Sequence, residues 1–334
     1  MVGIFRRDSR NPILEPSGPW WEARGVLNPG VTVVDGKIVM IYRAVGADGI
    51  SRFGRAISTE GAQFDRDAVP WAEASRTDQA ARLGIEDPRI TTLGSTRYVT
   101  FTKVSVSPAD HPKLEWETAP FRLRSWIGTV ECEANNSNGG LGAREKSGEH
   151  GGLTGVGPVL RTRNTKDLVL FPEKIGGRFQ ALIREWPSIQ VSTSLDLKTW
   201  SMLTEVLAPV PGTWEGERLG AGPPPVRVPS GWLVLYHANE YLRFPGNRRC
   251  YRMGLAVLDA VNPNRILYRH PEPIFEPEAT YEREGPVGQV VFGTGLVDAG
   301  DEYRLYYGAA DGVIGVATVA KQRLYSLLPS TLRP

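Results

Sequence analysis

Two adjacent carboxylates, Glu86 and Asp87, stand in the run Gly84-Ile85-Glu86-Asp87-Pro88-Arg89-Ile90, and this is where the sequence offers chemistry most plainly. Pro88 disfavours helical backbone at the residue before it, so Asp87 is expected in extended chain rather than at a helix start. A carboxyl held still in this way suits a general acid. Burial of Asp87 beside Glu86 is expected to push at least one of the two carboxyls up and keep a proton available near neutral pH. Alone, an Asp-Pro step reads as readily as a turn opener, so its weight comes from what surrounds it. Cations form a second set. Arg43 and Lys166, with Arg122 or Lys174 beside them, would suit an oxyanion such as phosphate. The histidines, at positions 111, 150, 237 and 270, have no metal-ligand spacing, so neither a metal nor an organic cofactor is expected. No dinucleotide or phosphate loop and no nucleophile elbow stands out.

These residues are far apart in sequence, and an internal repeat is what would bring them together. An apolar strand led by Pro or Gly, a turn, and a return strand ending in aromatics recur five times. The copies cover residues 28–34 with 38–43, 87–90 with 98–101, 170–175 with 179–183, 223–226 with 232–237, and 293–297 with 303–307. Each is a hairpin by alternation, β-branched or aromatic content and turn chemistry, Asp35-Gly36 and Gly176-Gly177 being the plainest turns. A third strand follows most of them, at residues 53–58, 189–193, 251–257 and 313–317. A further element, Pro12-Ile13-Leu14-Glu15-Pro16 before Trp21-Glu22, returns as Pro273-Ile274-Phe275-Glu276-Pro277 before Tyr281-Glu282, and more loosely before Trp214-Glu215. The fold class is therefore all-β, a five-bladed β-propeller built as one catalytic domain over residues 1–334. In that fold the leading ends of the innermost strands meet at one mouth of the channel. There they would gather Asn28, Glu86, Asp87, Lys166 and Asp167, with Arg43, His237, Tyr251 and Asp311 from strand ends nearby. Blade four offers only glycine and proline at this level. Residues 125–156, polar and Gly-rich, lack strand periodicity where blade two's outer strands should lie, and read as an atypical insertion.

A formal net charge of +2, without runs of one sign, gives no pull toward nucleic acid or membranes. Two cysteines, Cys132 and Cys250, fit a reducing compartment better than a disulfide framework. No signal-peptide or membrane-span pattern is present, so the expectation is a cytoplasmic protein with small partners, and a homo-oligomer is left open.

The chain resembles glycoside hydrolase family 130, the mannoside phosphorylases and β-mannosidases. The likeness runs through Leu27-Asn28-Pro29, Ile41-Tyr42-Arg43-Ala44, the Gly84–Ile90 run, Lys166-Asp167-Leu168-Val169-Leu170-Phe171-Pro172-Glu173-Lys174, Gly220-Ala221-Gly222-Pro223-Pro224, Tyr281-Glu282-Arg283-Glu284-Gly285 and Tyr307-Gly308-Ala309-Ala310-Asp311. The resemblance implies a five-bladed propeller that cleaves β-mannosides with inversion, Asp87 being the proton donor. It also implies that Asn28, Arg43, Glu86, Tyr251 and Asp311 hold the sugar, and that Arg43, Lys166, His237 and Arg122 attend phosphate, the co-substrate of a phosphorylase. A hydrolase would instead need a carboxylate to activate water, and Glu215, Glu217, Glu282 and Glu284 are candidates. A non-catalytic, glycan-binding propeller is the alternative of another class, with Trp20, Trp21 and Trp214 as stacking surfaces.

Overall fold

The computed structural model describes residues 3–18, 20–105, 123–130, 153–160, 164–242 and 248–334. The turns expected at Asp35-Gly36 and Gly176-Gly177 form where glycine permits positive φ, and the apolar runs beside them pair as antiparallel hairpins. The strands are β1 (Arg6–Arg7), β2 (Gly25–Val34), β3 (Lys37–Val45), β4 (Ser51–Ser58) and β5 (Asp65–Arg66), then β6 (Ile85–Leu93), β7 (Thr96–Val104), β8 (Leu123–Val130) and β9 (Leu153–Pro158). They continue as β10 (Lys166–Leu170), β11 (Phe179–Glu185), β12 (Ser188–Ser194) and β13 (Thr204–Leu207). The last two blades hold β14 (Arg218–Ala221), β15 (Val226–Val228), β16 (Gly231–Leu242), β17 (Arg248–Asp259), β18 (Ile266–Arg269), β19 (Val291–Asp298), β20 (Glu302–Ala309) and β21 (Val313–Ala320).

They form five sheets, the blades of a propeller: β2-β3-β4-β5, β6-β7-β8-β9, β10-β11-β12-β13, β14-β16-β17-β18 with β15 also on β16, and β19-β20-β21-β1. The fifth blade thus takes its outermost strand from the N-terminus, closing the ring. In blade four the innermost strand begins earlier than the sequence suggested. Arg218–Ala221 pairs with the end of β16, the prolines at 223–225 cannot donate to a ladder, and pairing resumes at Val226. Strands occupy both ends of the segment expected to be an insertion, since β8 pairs with β7 and β9 with β8, completing blade two.

The core lies between blades, because alternate residues of each middle strand face opposite neighbours. Met40 and Tyr42 pack with Tyr306 and Val316 of blade five, while Ile41 packs with Ile90, Val99 and Phe101 of blade two. Further layers join blades two and three through Ile127, Leu170 and Ile183, three and four through Leu182, Trp232 and Val234, and four and five through Leu235, Leu255 and Leu305. No helix among the described residues is long and apolar enough to cross a membrane.

Candidate active site

Three innermost strands open on the same backbone device. Asn28, Asp87 and Asp167 have φ of 48°, 52° and 54°, and each sits in a register shift, between Leu27 and Gly30, Glu86 and Arg89, and Lys166 and Val169. Left-handed backbone is tolerated best by Asn and Asp among residues with a side chain, and a bulge re-aims that side chain. Asp87 is therefore not in the extended conformation expected before Pro88. Pro88 excludes the right-handed helical region, and the bulge takes the left-handed one. Gly30 makes the approach possible, since a Cβ there would stand 2.9 Å from the Pro88 carbonyl oxygen of the next blade.

The Asp87 side chain, 1% exposed, is held by three groups from blades one and three. Asn28 Nδ2 donates to Oδ1 at 2.7 Å, Arg43 Nη1 lies 3.3 Å from Oδ1, and Lys166 Nζ lies 2.9 Å from Oδ2. The same cations grip Glu86, Arg43 Nη2 at 2.7 Å and Lys166 Nζ at 3.2 Å, and Arg43 Nε donates to Ser51 Oγ at 3.0 Å. Burial pushes the Asp87 carboxyl up, but Lys166 and then Arg43 override it and hold it well below the usual range. The expectation that burial would raise a carboxyl here is therefore not met at Asp87. The group raised toward neutrality is Asp311, at φ 52° in blade five, pushed up to about 6 by burial against the opposing charge of Arg43.

A second, deeper layer lies under the first. Arg89 reaches the Asp87 carbonyl oxygen (3.0 Å), Asp167 Oδ1 (3.0 Å) and the carbonyl oxygens of Ala221 (2.8 Å) and Gly222 (2.9 Å). Asp167 Oδ2 faces Arg184 Nη1 at 2.9 Å and His237 Nε2 at 3.3 Å. Burial lowers the His237 imidazole to about 4, Asp167 only partly opposing it, so the ring is neutral at pH 7. Gly220 is the blade-four residue at this level, and a Cβ on it would lie 2.3 Å from both Asp167 Oδ2 and His237 Nε2. Phe292 lies against His237, with ring centroids 3.9 Å apart, and Tyr251 stands 6.3 Å from the first and 6.4 Å from the second. Arg218 donates from Nη2 to the Tyr251 hydroxyl. Among the described residues no group of three His, Cys, Asp or Glu side chains is arranged to hold a metal.

Residues 4–112 and 156–329 match the model of glycoside hydrolase family 130, described as beta-1,4-mannooligosaccharide phosphorylase. The chain belongs to glycoside hydrolase family 130. It is similar to a 1,2-beta-oligomannan phosphorylase of Thermoanaerobacter sp. (strain X514), 34% identical over 321 residues that cover 94% of this chain and 96% of the relative. It is also similar to a beta-1,2-mannobiose phosphorylase of the same organism, 31% identical and covering 96% of this chain and 99% of that one. Among solved structures, the beta-1,2-mannobiose phosphorylase of Listeria innocua in complex with beta-1,2-mannobiose superposes with a TM-score of 0.77 at 25% identity, covering 97% of this chain and 99% of that chain.

Within this family 130 propeller, Asn28, Arg43, Glu86, Asp87 and Lys166 form one contact cluster, with Asp311 in electrostatic reach of the last four. His237 and Tyr251 belong to the adjoining blade-four group, joined to the first through Asp167 and Arg89. Arg122 lies outside the described residues. Lys174 is not at the mouth; it stands beyond the far end of β10, its ammonium over Phe179. The carboxylates named as water-activating candidates are engaged elsewhere or exposed. Glu215 accepts from Tyr236 and pairs with Arg269, Glu282 accepts from Tyr307 and Arg7, Glu217 pairs with Arg249 and Asn239, and Glu284 is on the surface. Trp21 and Trp214 are buried, stacked on Tyr42 and Tyr236. Arg89, Arg184, Arg218 and Phe292 had no assigned role from sequence. Arg184 occupies on β11 the place Arg43 holds on β3, so the repeat carried a signal for it, whereas Arg89 has no arginine at the equivalent position of another blade to point to it.

Proposed function

We propose that the protein is an inverting β-mannoside phosphorylase that transfers a mannosyl unit from a mannose-containing oligosaccharide to inorganic phosphate, releasing mannose 1-phosphate and a shortened sugar. The observation that carries this reading is Asp87 gripped by Lys166 and Arg43 in a mouth where the four candidate bases are committed to other partners or lie on the surface. Phosphate arrives already anionic and needs cations rather than a base. Arg43 and Lys166 supply them.

Beside its two cations Asp87 is ionised. An incoming phosphate competes for the same charges, and as they turn toward it the Asp87 carboxyl rises and takes up the proton an acid needs. Asp87 then delivers that proton to the leaving glycosidic oxygen, directly or through a sugar hydroxyl, while a phosphate oxygen forms the bond to the anomeric carbon from the opposite face. The proton it relays is the one that hydrogen phosphate gives up on becoming the ester, so Asp87 ends ionised, as it began. Asn28 orients the carboxyl through its 2.7 Å hydrogen bond, and Asp311 accepts from sugar hydroxyls once ionised. Tyr251 and the neutral His237 line the blade-four side as hydrogen-bonding groups for the anion or the sugar. Cysteine usage supports a cytoplasmic setting.

Incubation with β-mannosides in the presence and absence of phosphate tests the reading. Mannose 1-phosphate that forms only with phosphate is the expected result. Free mannose at the same rate in phosphate-free buffer would sink phosphorolysis.

A further inference from the structure

The two tryptophans that are exposed among the described residues, Trp20 at 55% and Trp186 at 42%, both stand on the mouth face of the propeller. Trp20 lies beside blade one. Its carbonyl oxygen accepts from Ala47 N at 2.7 Å, in the turn that leads from β3 into Ser51, the residue touching both Arg43 and Glu86. Trp186 lies on blade three, in the two-residue turn between β11 and β12, two positions after Arg184, whose guanidinium meets Asp167. The next residue, Pro187, accepts from Leu219 N of blade four at 2.9 Å. The two rings therefore flank the acid cluster from different blades.

Exposure of a large indole has a free-energy cost, and the surroundings of Trp20 hold the ring in place rather than hide it. Arg52 places its guanidinium carbon 4.5 Å from the centre of the Trp20 ring, covering one face. That arginine is itself fixed, by Asp48 at 2.7 Å and Glu73 at 2.9 Å. Gly46 leaves the room this needs, since a Cβ there would stand 2.8 Å from Arg52 Nη1 and 3.1 Å from the Trp20 carbonyl oxygen. A ring supported on one face and open on the other is suited to the flat C–H face of a pyranose. The adjacent Asp48 and Glu73 carboxylates can accept from its hydroxyls.

We infer that Trp20 and Trp186 are stacking platforms for mannosyl units beyond the two joined by the scissile bond, so that the mouth binds oligomannosides in preference to disaccharides. The inference rests on the mannoside reading for the identity of the sugar. It adds subsites on the rim that the acid cluster does not need.

Isothermal titration in phosphate-free buffer with β-1,2-mannobiose and β-1,2-mannotetraose measures the gain in affinity with length. Each stacked ring is expected to contribute a factor of roughly two to ten. The wild-type ratio of the two dissociation constants should fall toward one in the Trp20→Ala/Trp186→Ala double variant, with each single variant removing part of it and Trp20→Phe retaining most. A double variant with the wild-type ratio, or a wild type with no length dependence, overturns the inference. Phosphorolysis of mannobiose by the wild type tests the underlying reading separately. Binding of neither sugar would remove both.

Discussion

At the residue scale the site is defined by two carboxylates displaced in opposite directions. Asp87 is depressed by Lys166 and Arg43, whereas Asp311 is raised to about 6 by burial. Replacing Asp87 by Asn removes the proton and leaves volume and left-handed backbone intact, so mannoside turnover should fall by about 10²–10⁴-fold while sugar binding persists in titration calorimetry. Full activity in that variant would assign the acid elsewhere. The signs of the two shifts also separate their effects on stability. Asp87 contributes stability that is present above its unfolded value near 3.8 and lost as pH falls through its lower folded value. Asp311 does the reverse: the folded protein keeps its proton up to about pH 6, so its contribution is present at acid pH and lost as pH rises from about 4 to 6. Asp311→Asn should therefore melt higher than the wild type at pH 8 and match it at pH 4, which thermal unfolding at the two pH values would check. An equal shift at both would mean that burial of the charge is not what raises the group.

At the scale of the element, three blades share a clamp. In blade one Glu22 accepts from Tyr42 at 2.8 Å and from Arg66 of the outermost strand at 3.0 Å. Glu215 does the same with Tyr236 and Arg269 in blade four, and Glu282 with Tyr307 and Arg7 in blade five. Opposite each tyrosine stands a glycine, Gly54, Gly254 or Gly315, where a Cβ would fall 2.2–2.6 Å from the ring. Removing such a buried carboxylate leaves an arginine and a phenol without their partner, so Glu215→Ala is expected to destabilise by about 3–5 kcal/mol. Denaturant melts would measure this, and a loss of activity with no loss of stability would restore Glu215 as a reacting group. The sequence displayed this element, since Trp21-Glu22, Trp214-Glu215 and Tyr281-Glu282 recur after proline-bounded strands. Spacing alone did not say whether the glutamates face the channel or the blade interior; Glu215 and Glu282, held open as bases for a hydrolase, are engaged in these clamps. Asn28, Glu86, Asp87 and Lys166 were legible because their place at the start of an innermost strand fixes where they meet. Arg89 and Phe292 were not, because their partners come from other blades and depend on inter-blade distances that periodicity does not encode.

Across the whole molecule, five blades must be fastened both at the rim and around the channel. At the rim β1 pairs with β21, and Arg7 carries the closure inward to the fully buried Glu282 at 2.7 and 2.8 Å. Around the channel Arg89, 1% exposed, plays the matching part: its guanidinium donates to acceptors on blades two, three and four, and Phe292 of blade five lies 6.0 Å from its centre. A planar fork with five donors can serve four acceptors arranged around it; an ammonium at the end of a different stem cannot. Arg89→Lys keeps the charge that balances Asp167 but gives up most of those directed bonds, so it isolates geometry from charge. The expected result is a loss of about 3–5 kcal/mol, seen as a melting temperature lower by on the order of 5–15 °C. Turnover should fall with it even at temperatures where the variant is folded, because the same guanidinium fixes the Asp87 backbone and the Asp167 carboxylate behind His237. An Arg89→Lys protein that melts like the wild type would show that inter-blade apolar layers alone hold the channel. One that melts lower yet reacts at the full rate when folded would separate the fastening of the ring from the positioning of the acid.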